Sequence, residues 1–144
     1  MNQNRKIFLL IVLSLISIYG FSQKIELIEE IAFIDKIKYV KVEKINRKKF
    51  VIRNIDTNEE ILRIKLFKSY NSLDKRTHKL PQIFFVRIKK TMDFETDIQS
   101  ELELVKFLYN NEIVFLDGKP NEKKVFAYLD FLKKLREQND INQN

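Results

Sequence analysis

One short segment of this chain contains the residue types of a hydrolytic centre. His78 is the only histidine, Asp74 precedes it by four residues, and Ser72 lies in the same segment. An imidazole oriented by a carboxylate can activate a serine hydroxyl for attack on a carbonyl carbon. The alternative is an exposed loop histidine, whose protonated form the neighbouring Arg76 and Lys79 disfavour. Because triad residues usually come from separate elements around a site, the close spacing favours the exposed loop histidine.

Carboxylates are the other candidates for chemistry. Asp93, Asp97 and Glu101 recur every four residues, so that a helix would align the last two on one face. Asp97 and Glu101 could then act as an acid and a base, or the row could bind Ca²⁺ through its oxygens. A simpler explanation is that acidic residues stabilise the positive end of a helix, by about 0.3 to 1 kcal/mol each. We therefore predict no metal site.

Most enzyme classes need residues that this chain lacks. It contains no cysteine, which excludes a thiol nucleophile and a cysteine-based zinc site. Its two glycines cannot form a phosphate-binding loop or a dinucleotide fingerprint, and its one histidine excludes a pair of imidazoles. We predict a non-catalytic protein without a cofactor, and a minimal hydrolase centred on His78 is the alternative.

Positive charge is concentrated in the first two-thirds of the chain. The 27 basic and 20 acidic residues give a formal net charge of +7. Residues 36–53 contain eight Lys or Arg and one acid, and residues 63–90 contain nine and one acid. If the strands in these regions pair, their polar positions form one basic sheet face. The residues predicted to bind there are Lys41, Arg63, Lys65, Arg87 and Lys89.

Such a face predicts an anionic partner or none. The candidates are an anionic envelope polymer, a lipid head group and an acidic protein, whereas nucleic acid is less accessible to an exported protein. The 20 lysines outnumber the seven arginines, and lysine cannot bind phosphate in the bidentate manner of arginine. A face that is merely solvated therefore stays open as an alternative.

The first 22 residues have the pattern of a secretory signal peptide. Arg5 and Lys6 precede an uncharged run, Ile7 to Phe21, of 15 residues. As a helix this run is about 22 Å long, which is shorter than the bilayer core of about 30 Å. We predict cleavage between Ser22 and Gln23 and an exported protein, periplasmic or secreted. A membrane-anchored envelope protein is the alternative.

Alternating hydrophobicity predicts strands in the first part of the mature chain. Hairpin loops are expected at 55–59 and 70–80. Ile25 to Phe33 fits both the strand and the helix period, and we favour a strand that covers the second face of the sheet. Otherwise a second subunit covers that face in a homodimer. The clearest predicted strands are Val40–Glu43, Lys49–Asn54, Leu62–Leu66 and Gln82–Lys90.

Two amphipathic helices are predicted in the last third. Thr96 to Gln99 matches a capping box for a helix that ends at Asn110 and Asn111. A short strand, Ile113 to Leu116, and a glycine turn precede a second helix, which Asn121 caps. The predicted fold class is α+β, an antiparallel sheet of about four or five strands followed by two amphipathic C-terminal helices. It forms a single domain over residues 23–136, and residues 137–144 are predicted to be a disordered tail.

Overall fold

Within residues 23–141, a seven-stranded antiparallel sheet and two helices make up the fold. The computed structural model describes residues 23–141, so that the predicted signal peptide at 1–22 lies outside the described residues. Each strand pairs with the next one along the chain, and the spatial order is therefore the sequence order. The strands are β1 (Ile25–Ile28), β2 (Ile31–Ile34), β3 (Ile37–Asn46), β4 (Lys49–Arg53), β5 (Glu60–Asn71), β6 (Arg76–Phe85) and β7 (Lys90–Asp93). The helices are α1 (Glu101–Asn110) and α2 (Glu122–Ile141).

The prediction of four or five strands is wrong, and the first reason lies at the N-terminal edge. The stretch 25–34 forms two four-residue strands joined by a tight turn, in which Glu29 has a φ of 55°. Ile28 lies opposite Ile31 in this hairpin. The turn between the two strands brings these two apolar residues opposite each other, whereas their spacing of three positions is also typical of a helix. The hairpin extends the edge of the sheet and does not cover its second face.

The second reason is a long hairpin between β5 and β6. The predicted loop at 70–80 is mostly strand, because pairing continues as far as Asn71 opposite Arg76. The predicted strand at 82–90 ends at Phe85 and turns at 86–89 into β7. The outer part of the hairpin is polar because neither of its faces is deeply buried, and hydropathy therefore does not distinguish it from a loop.

One face of the sheet and the helices enclose the core. Alternate residues of β2 to β7 point into it, and α1 contributes Leu104, Val105, Phe107 and Leu108. Burial of this apolar surface is the main source of stability. The buried residues of the sheet are Ala32, Ile34, Tyr39, Val40, Val42, Phe50, Ile52, Leu62, Ile64, Leu66, Ile83, Phe85 and Met92.

Helix α1 begins four residues later than the predicted capping box implies. Ser100 is its N-cap, and the Ser100 Oγ accepts a hydrogen bond of 3.2 Å from the Glu103 N–H. The Glu103 Oε2 in turn accepts one of 2.7 Å from the Gln99 N–H, which is close to the reciprocal pattern of a capping box. The predicted first turn is extended, because the Ile98 N–H donates to the Lys79 carbonyl oxygen at 2.9 Å. The segment before α1 thus follows the edge of β6.

A buried tyrosine joins the sheet to the connection between the helices. The Tyr39 hydroxyl donates to the Val114 carbonyl oxygen at 2.6 Å, and its ring packs edge-on against Tyr109. Burial raises the pKa of Tyr39, and the neighbouring Tyr109 raises it further. The predicted strand at 113–116 is reduced to one bridge, between Val114 and Pro120. Gly118 in this connection has a φ of +74°, and a Cβ there would lie 2.9 Å from the Asn54 Nδ2.

Helix α2 is attached to the core only near its beginning. Val125 is fully buried, whereas Phe131 is 56% exposed. The Asn121 Oδ1 accepts a hydrogen bond from the Lys124 N–H, as a capping residue does. The helix continues to Ile141, and residues 137–141 of the predicted tail lie in its last turns. Neither helix has the length and apolar character that crossing a membrane requires.

Candidate functional site

Among the described residues 23–141 nothing covers the second face of the sheet, because both helices pack on the first, and we call it the open face. Side chains of four adjacent strands form rows across it. Glu43, Val51, Arg63 and Phe84 lie opposite one another in one row. Lys49, Lys65, Gln82 and Asp93 form the adjacent row. Paired residues of neighbouring strands lie on the same face of a sheet, so that these rows form one surface.

A shallow pocket of about 310 Å³ lies on this open face. Its apolar surface comes from Ile45, Val51 and Phe84, and its polar edge carries three cations, Lys49, Arg63 and Lys65, and Gln82. The Arg63 guanidinium carbon lies 5.9 Å from the centroid of the Phe84 ring. The Lys65 Nζ lies 4.5 Å from the centroid of the Phe67 ring. Both contacts are cation–π interactions, which hold the charges beside apolar surface.

Two of these cations form a like-charged pair. Lys49 and Lys65 lie directly opposite each other across β4 and β5, an arrangement that destabilises a sheet. Neither lysine forms an ion pair with any residue in 23–138, the range whose side chains are described. Arg63 differs, because it is paired with Glu60. An anion between the two ammonium groups would relieve their repulsion.

Only three of the five residues predicted for the basic face share it. Lys41, Arg63 and Lys65 lie on the open face, and Lys41 forms an ion pair of 3.3 Å with Glu30. Arg87 lies in the turn after β6 and binds Glu122 at the start of α2, and Lys89 lies in the same turn. The prediction that Arg87 and Lys89 lie on the basic face is therefore wrong. Ile83 and Phe85, which have the same parity as Arg87 and Lys89, are buried in the core.

Lys49 and Phe84 are the residues of the pocket that the sequence analysis did not assign to it. Lys49 lies on the same face of β4 as Val51 and Arg53. Its parity relative to the buried Phe50 was the available signal. Placing Arg87 and Lys89 on the basic face implies a core position for Phe84, because residues of opposite parity point to opposite faces of a strand. Its true orientation follows only from the pairing of β6 with β5.

The structure brings His78 together with two carboxylates. The His78 Nε2 lies 2.6 Å from the Asp74 Oδ2, and the His78 Nδ1 lies 3.1 Å from the Asp97 Oδ2. The Asp97 Oδ1 accepts a hydrogen bond of 2.6 Å from the Lys79 N–H. Both imidazole nitrogens are therefore engaged, and neither is free to accept a proton from Ser72. We call this group the His78 clamp.

The charges of the clamp stabilise one another. The hydrogen bond to Asp74 raises the pKa of His78, and Asp97 raises it further against an opposing effect of partial burial. Partial burial acts to raise the pKa of Asp74, but the Arg76 N–H and His78 outweigh it and lower that pKa. The pKa of Asp97 is lowered in the same way, by the Lys79 N–H, Gln99 and His78 against partial burial. The two carboxylates thus favour the protonated form of His78 more than water does.

The other carboxylates considered for chemistry lie apart. Glu101 binds Lys44 of β3, and Asp93 accepts a hydrogen bond of 2.8 Å from the Gln82 Nε2. Asp97 belongs to the His78 clamp, so that the row Asp93, Asp97 and Glu101 is not one site. In the described part of the chain no group of three or more His, Asp or Glu side chains is placed to hold a metal ion.

No protein-family model, curated protein or solved structure matches this chain. Function therefore has to be inferred from the sites themselves. The two polar sites differ in their charge balance. The carboxylates and the imidazole of the His78 clamp satisfy one another, whereas the pocket on the open face carries unpaired positive charge beside apolar surface. The pocket is the stronger candidate for binding a ligand.

Proposed function

We propose that this protein is a small exported binding protein without catalytic activity, which binds an anionic amphiphile in the pocket on the open face of its sheet. The ligand class is a carboxylate or phosphate head group attached to an apolar chain, as in a fatty acid or an envelope lipid. The observation that carries this proposal is the opposed pair of Lys49 and Lys65, which lack an acidic partner among the described residues and adjoin apolar side chains.

The size and composition of the pocket support one amphiphile. About 310 Å³ is at the lower end of the range for small-molecule sites, which combine apolar walls with a few polar groups. Ile45, Val51 and Phe84 can contact a hydrocarbon chain. Lysine ammonium groups act as mobile point charges and therefore suit a carboxylate or a phosphate.

The remaining charges of the face favour a single head group over an acidic polymer. Lys41 is paired with Glu30, and Arg53 is paired with Glu43 at 2.8 Å. A polymer would need a continuous row of free cations, as in proteins that follow a charged backbone. We do not extend the proposal to hydrolysis, because both nitrogens of His78 bind carboxylates.

Calorimetry with dodecyl phosphate below its micelle concentration tests the binding proposal. The double variant Lys49→Gln/Lys65→Gln should bind at least tenfold more weakly than the parent chain. The matched control Lys123→Gln/Lys133→Gln makes the same change of charge on α2 and should bind as the parent does. Added salt should weaken binding, because exposed charges are screened.

Dodecyltrimethylammonium, which has the same chain and a positive head group, serves as the ligand control. We expect no binding of this cation. Equal binding of the two amphiphiles, or unchanged binding by the pocket variant, would show that the lysine pair does not select the ligand. Export is tested separately by the intact mass of the released protein, which should begin at Gln23.

A further inference from the structure

A two-stranded ribbon projects from the sheet between β5 and β6. β4 pairs with β5 only as far as Lys49 opposite Lys65, and β7 pairs with β6 only as far as Asp93 opposite Gln82. The pairing of β5 with β6 continues to Asn71 opposite Arg76. We call residues 67–80 the arm. The segment before α1 flanks the edge of β6 as far as Lys79, because the Ile98 N–H donates to the Lys79 carbonyl oxygen. Beyond the pair of Lys68 and Lys79 the ribbon is two-stranded and, at about 3.3 Å per residue, extends the sheet by roughly 10 Å.

The arm presents apolar side chains to solvent, most of all at its tip. Leu73 is 93% exposed, Tyr70 is 66% exposed and Phe67 is 41% exposed. The turn that carries Leu73 is held by side chains, because the Asn71 Oδ1 accepts a hydrogen bond of 2.9 Å from the Leu73 N–H. The Asp74 Oδ1 likewise accepts one of 3.0 Å from the Arg76 N–H. A structured turn thus holds a leucine at the outermost point of the arm.

Cations surround this apolar tip. Lys68 lies directly opposite Lys79 on the arm, a second like-charged pair, and neither forms an ion pair within residues 23–138. Lys75 and Arg76 follow the tip. Asp74 is the only acid of residues 67–80 and contacts His78. The adjoining segment adds Asp97 at His78 and Glu95, which lines one surface depression with Tyr70 and Leu73. The four cations of the arm, Lys68, Lys75, Arg76 and Lys79, outnumber these three carboxylates, so that the arm presents a net positive surface behind an apolar apex.

We propose that the arm docks on an anionic lipid bilayer. Leu73 enters the acyl region, Tyr70 lies at the level of the head groups, and Lys68 and Lys79 face the lipid phosphates. Tyrosine prefers that level because its ring is apolar and its hydroxyl is polar. Lysine stems extend along apolar surface while their charges stay at the phosphates, and an anionic leaflet attracts such basic residues.

The arrangement of the arm favours a bilayer over an acidic protein. The apolar apex lies outermost and the opposed lysines lie several pairs behind it, which matches the order of acyl chains and phosphates in a membrane. This surface is distinct from the pocket of the proposed function. The clamp supports the arm, because Asp97 connects His78 to the segment that leads into α1.

The absence of cysteine from the chain makes a local test of insertion simple. Leu73→Cys and Thr57→Cys each provide one site for the polarity-sensitive dye NBD in the full-length chain, and Thr57 lies in the exposed β4–β5 loop. With vesicles of equal parts phosphatidylglycerol and phosphatidylcholine, NBD at position 73 should shift to shorter wavelength and brighten at least twofold. NBD at position 57 should stay unchanged, and phosphatidylcholine alone should shift neither.

Charge variants connect the signal at position 73 to the arm. In the Leu73→Cys background, Lys68→Gln/Lys79→Gln should require at least tenfold more anionic lipid for the same signal. The matched control Lys123→Gln/Lys133→Gln makes the same change of charge on α2 and should require the same amount as the parent. An unshifted dye at position 73, or equal shifts at 73 and 57, would overturn the proposal. A shift with soluble polyglutamate but not with vesicles would assign the arm to an acidic polymer and also overturn it.

Discussion

The two faces of the sheet differ although their residues alternate along the same strands. Leu62 is fully buried beneath the helices, and the side chain of its neighbour Arg63 on the open face is 62% exposed. The covered face contains closely packed apolar side chains, whereas the open face carries cations, a shallow pocket and the base of the arm. Substitutions on the open face should therefore change binding with little change in the free energy of unfolding.

The largest expected difference is between Leu62 and Arg63. Leu62→Ala removes a buried side chain and leaves a cavity, and should lower the free energy of unfolding by about 2 to 5 kcal/mol. Arg63→Ala changes an exposed side chain and should alter it by less than about 0.5 kcal/mol. Urea denaturation of both variants measures the difference. Similar losses in the two variants would mean that the open face is also covered in the folded protein.

The next largest loss of stability is expected at the contact between Tyr39 and the segment that joins the two helices. Tyr39→Phe removes the buried hydrogen bond to the Val114 carbonyl oxygen and should cost about 1 to 3 kcal/mol, because a buried acceptor loses its partner. Tyr109→Phe is the matched control, since its ring packs on Tyr39 but its hydroxyl forms no hydrogen bond with another described residue. Thermal or urea unfolding should separate the two variants. Equal costs would show that the hydrogen bond from Tyr39 to Val114 adds no measurable stability.

A smaller loss of stability is expected at the N-terminal end of α1, which packs on the covered face. Ser100→Ala removes the N-cap and should lower the free energy of unfolding by about 1 kcal/mol. Thr96→Ala, at the cap position predicted from the sequence, should leave it unchanged, because Thr96 is exposed and precedes the helix by several residues. A loss in Thr96→Ala and none in Ser100→Ala would support the earlier helix start.

The smallest effect concerns the His78 clamp and depends on pH. The pKa of His78 is raised by folding, so that its stabilisation is complete below about pH 6.5 and declines as pH rises through the folded pKa. The pKa values of Asp74 and Asp97 are lowered, so that their contribution is present above about pH 4 and is lost in stronger acid. His78→Gln should therefore reduce stability most near pH 5.

Urea titrations of the parent chain and His78→Gln at pH 5 and pH 9 measure this dependence. The difference between the two proteins should shrink from pH 5 to pH 9, because the imidazole loses its proton as the pH rises through its folded pKa. A difference that stays constant across this range would show that His78 contributes through packing and not through its charge.

Part of the candidate site could be predicted from the sequence. The alternation of Leu62, Arg63, Ile64 and Lys65 placed two of the pocket cations on one exposed face, because a strand with one buried face requires that order. Lys41 was placed correctly for the same reason. Arg87 and Lys89 were placed wrongly, since the chain turns at 86–89 and the strand before it buries the odd-numbered residues Ile83 and Phe85.

Several local features of the fold could be predicted from the amino-acid sequence. Alternating hydrophobicity was sufficient for β4 and for the centres of β3 and β5, and Asn110 and Asn111 marked the end of α1. The absence of cysteine and the scarcity of glycine and histidine excluded several enzyme classes. These features depend on neighbouring residues or on composition, which a sequence displays directly.

Long-range packing fixed the number of strands, the lysines that lie opposite each other and the contact of His78 with Asp97. The pair of Lys49 and Lys65 depends on the register of two strands, and the contact of His78 with Asp97 depends on a segment 19 residues further along the chain. The arm shows no alternation of apolar and polar residues, because neither of its faces is deeply buried and backbone hydrogen bonds hold its two strands together. Such pairings are set by the packing of the whole sheet against its helices.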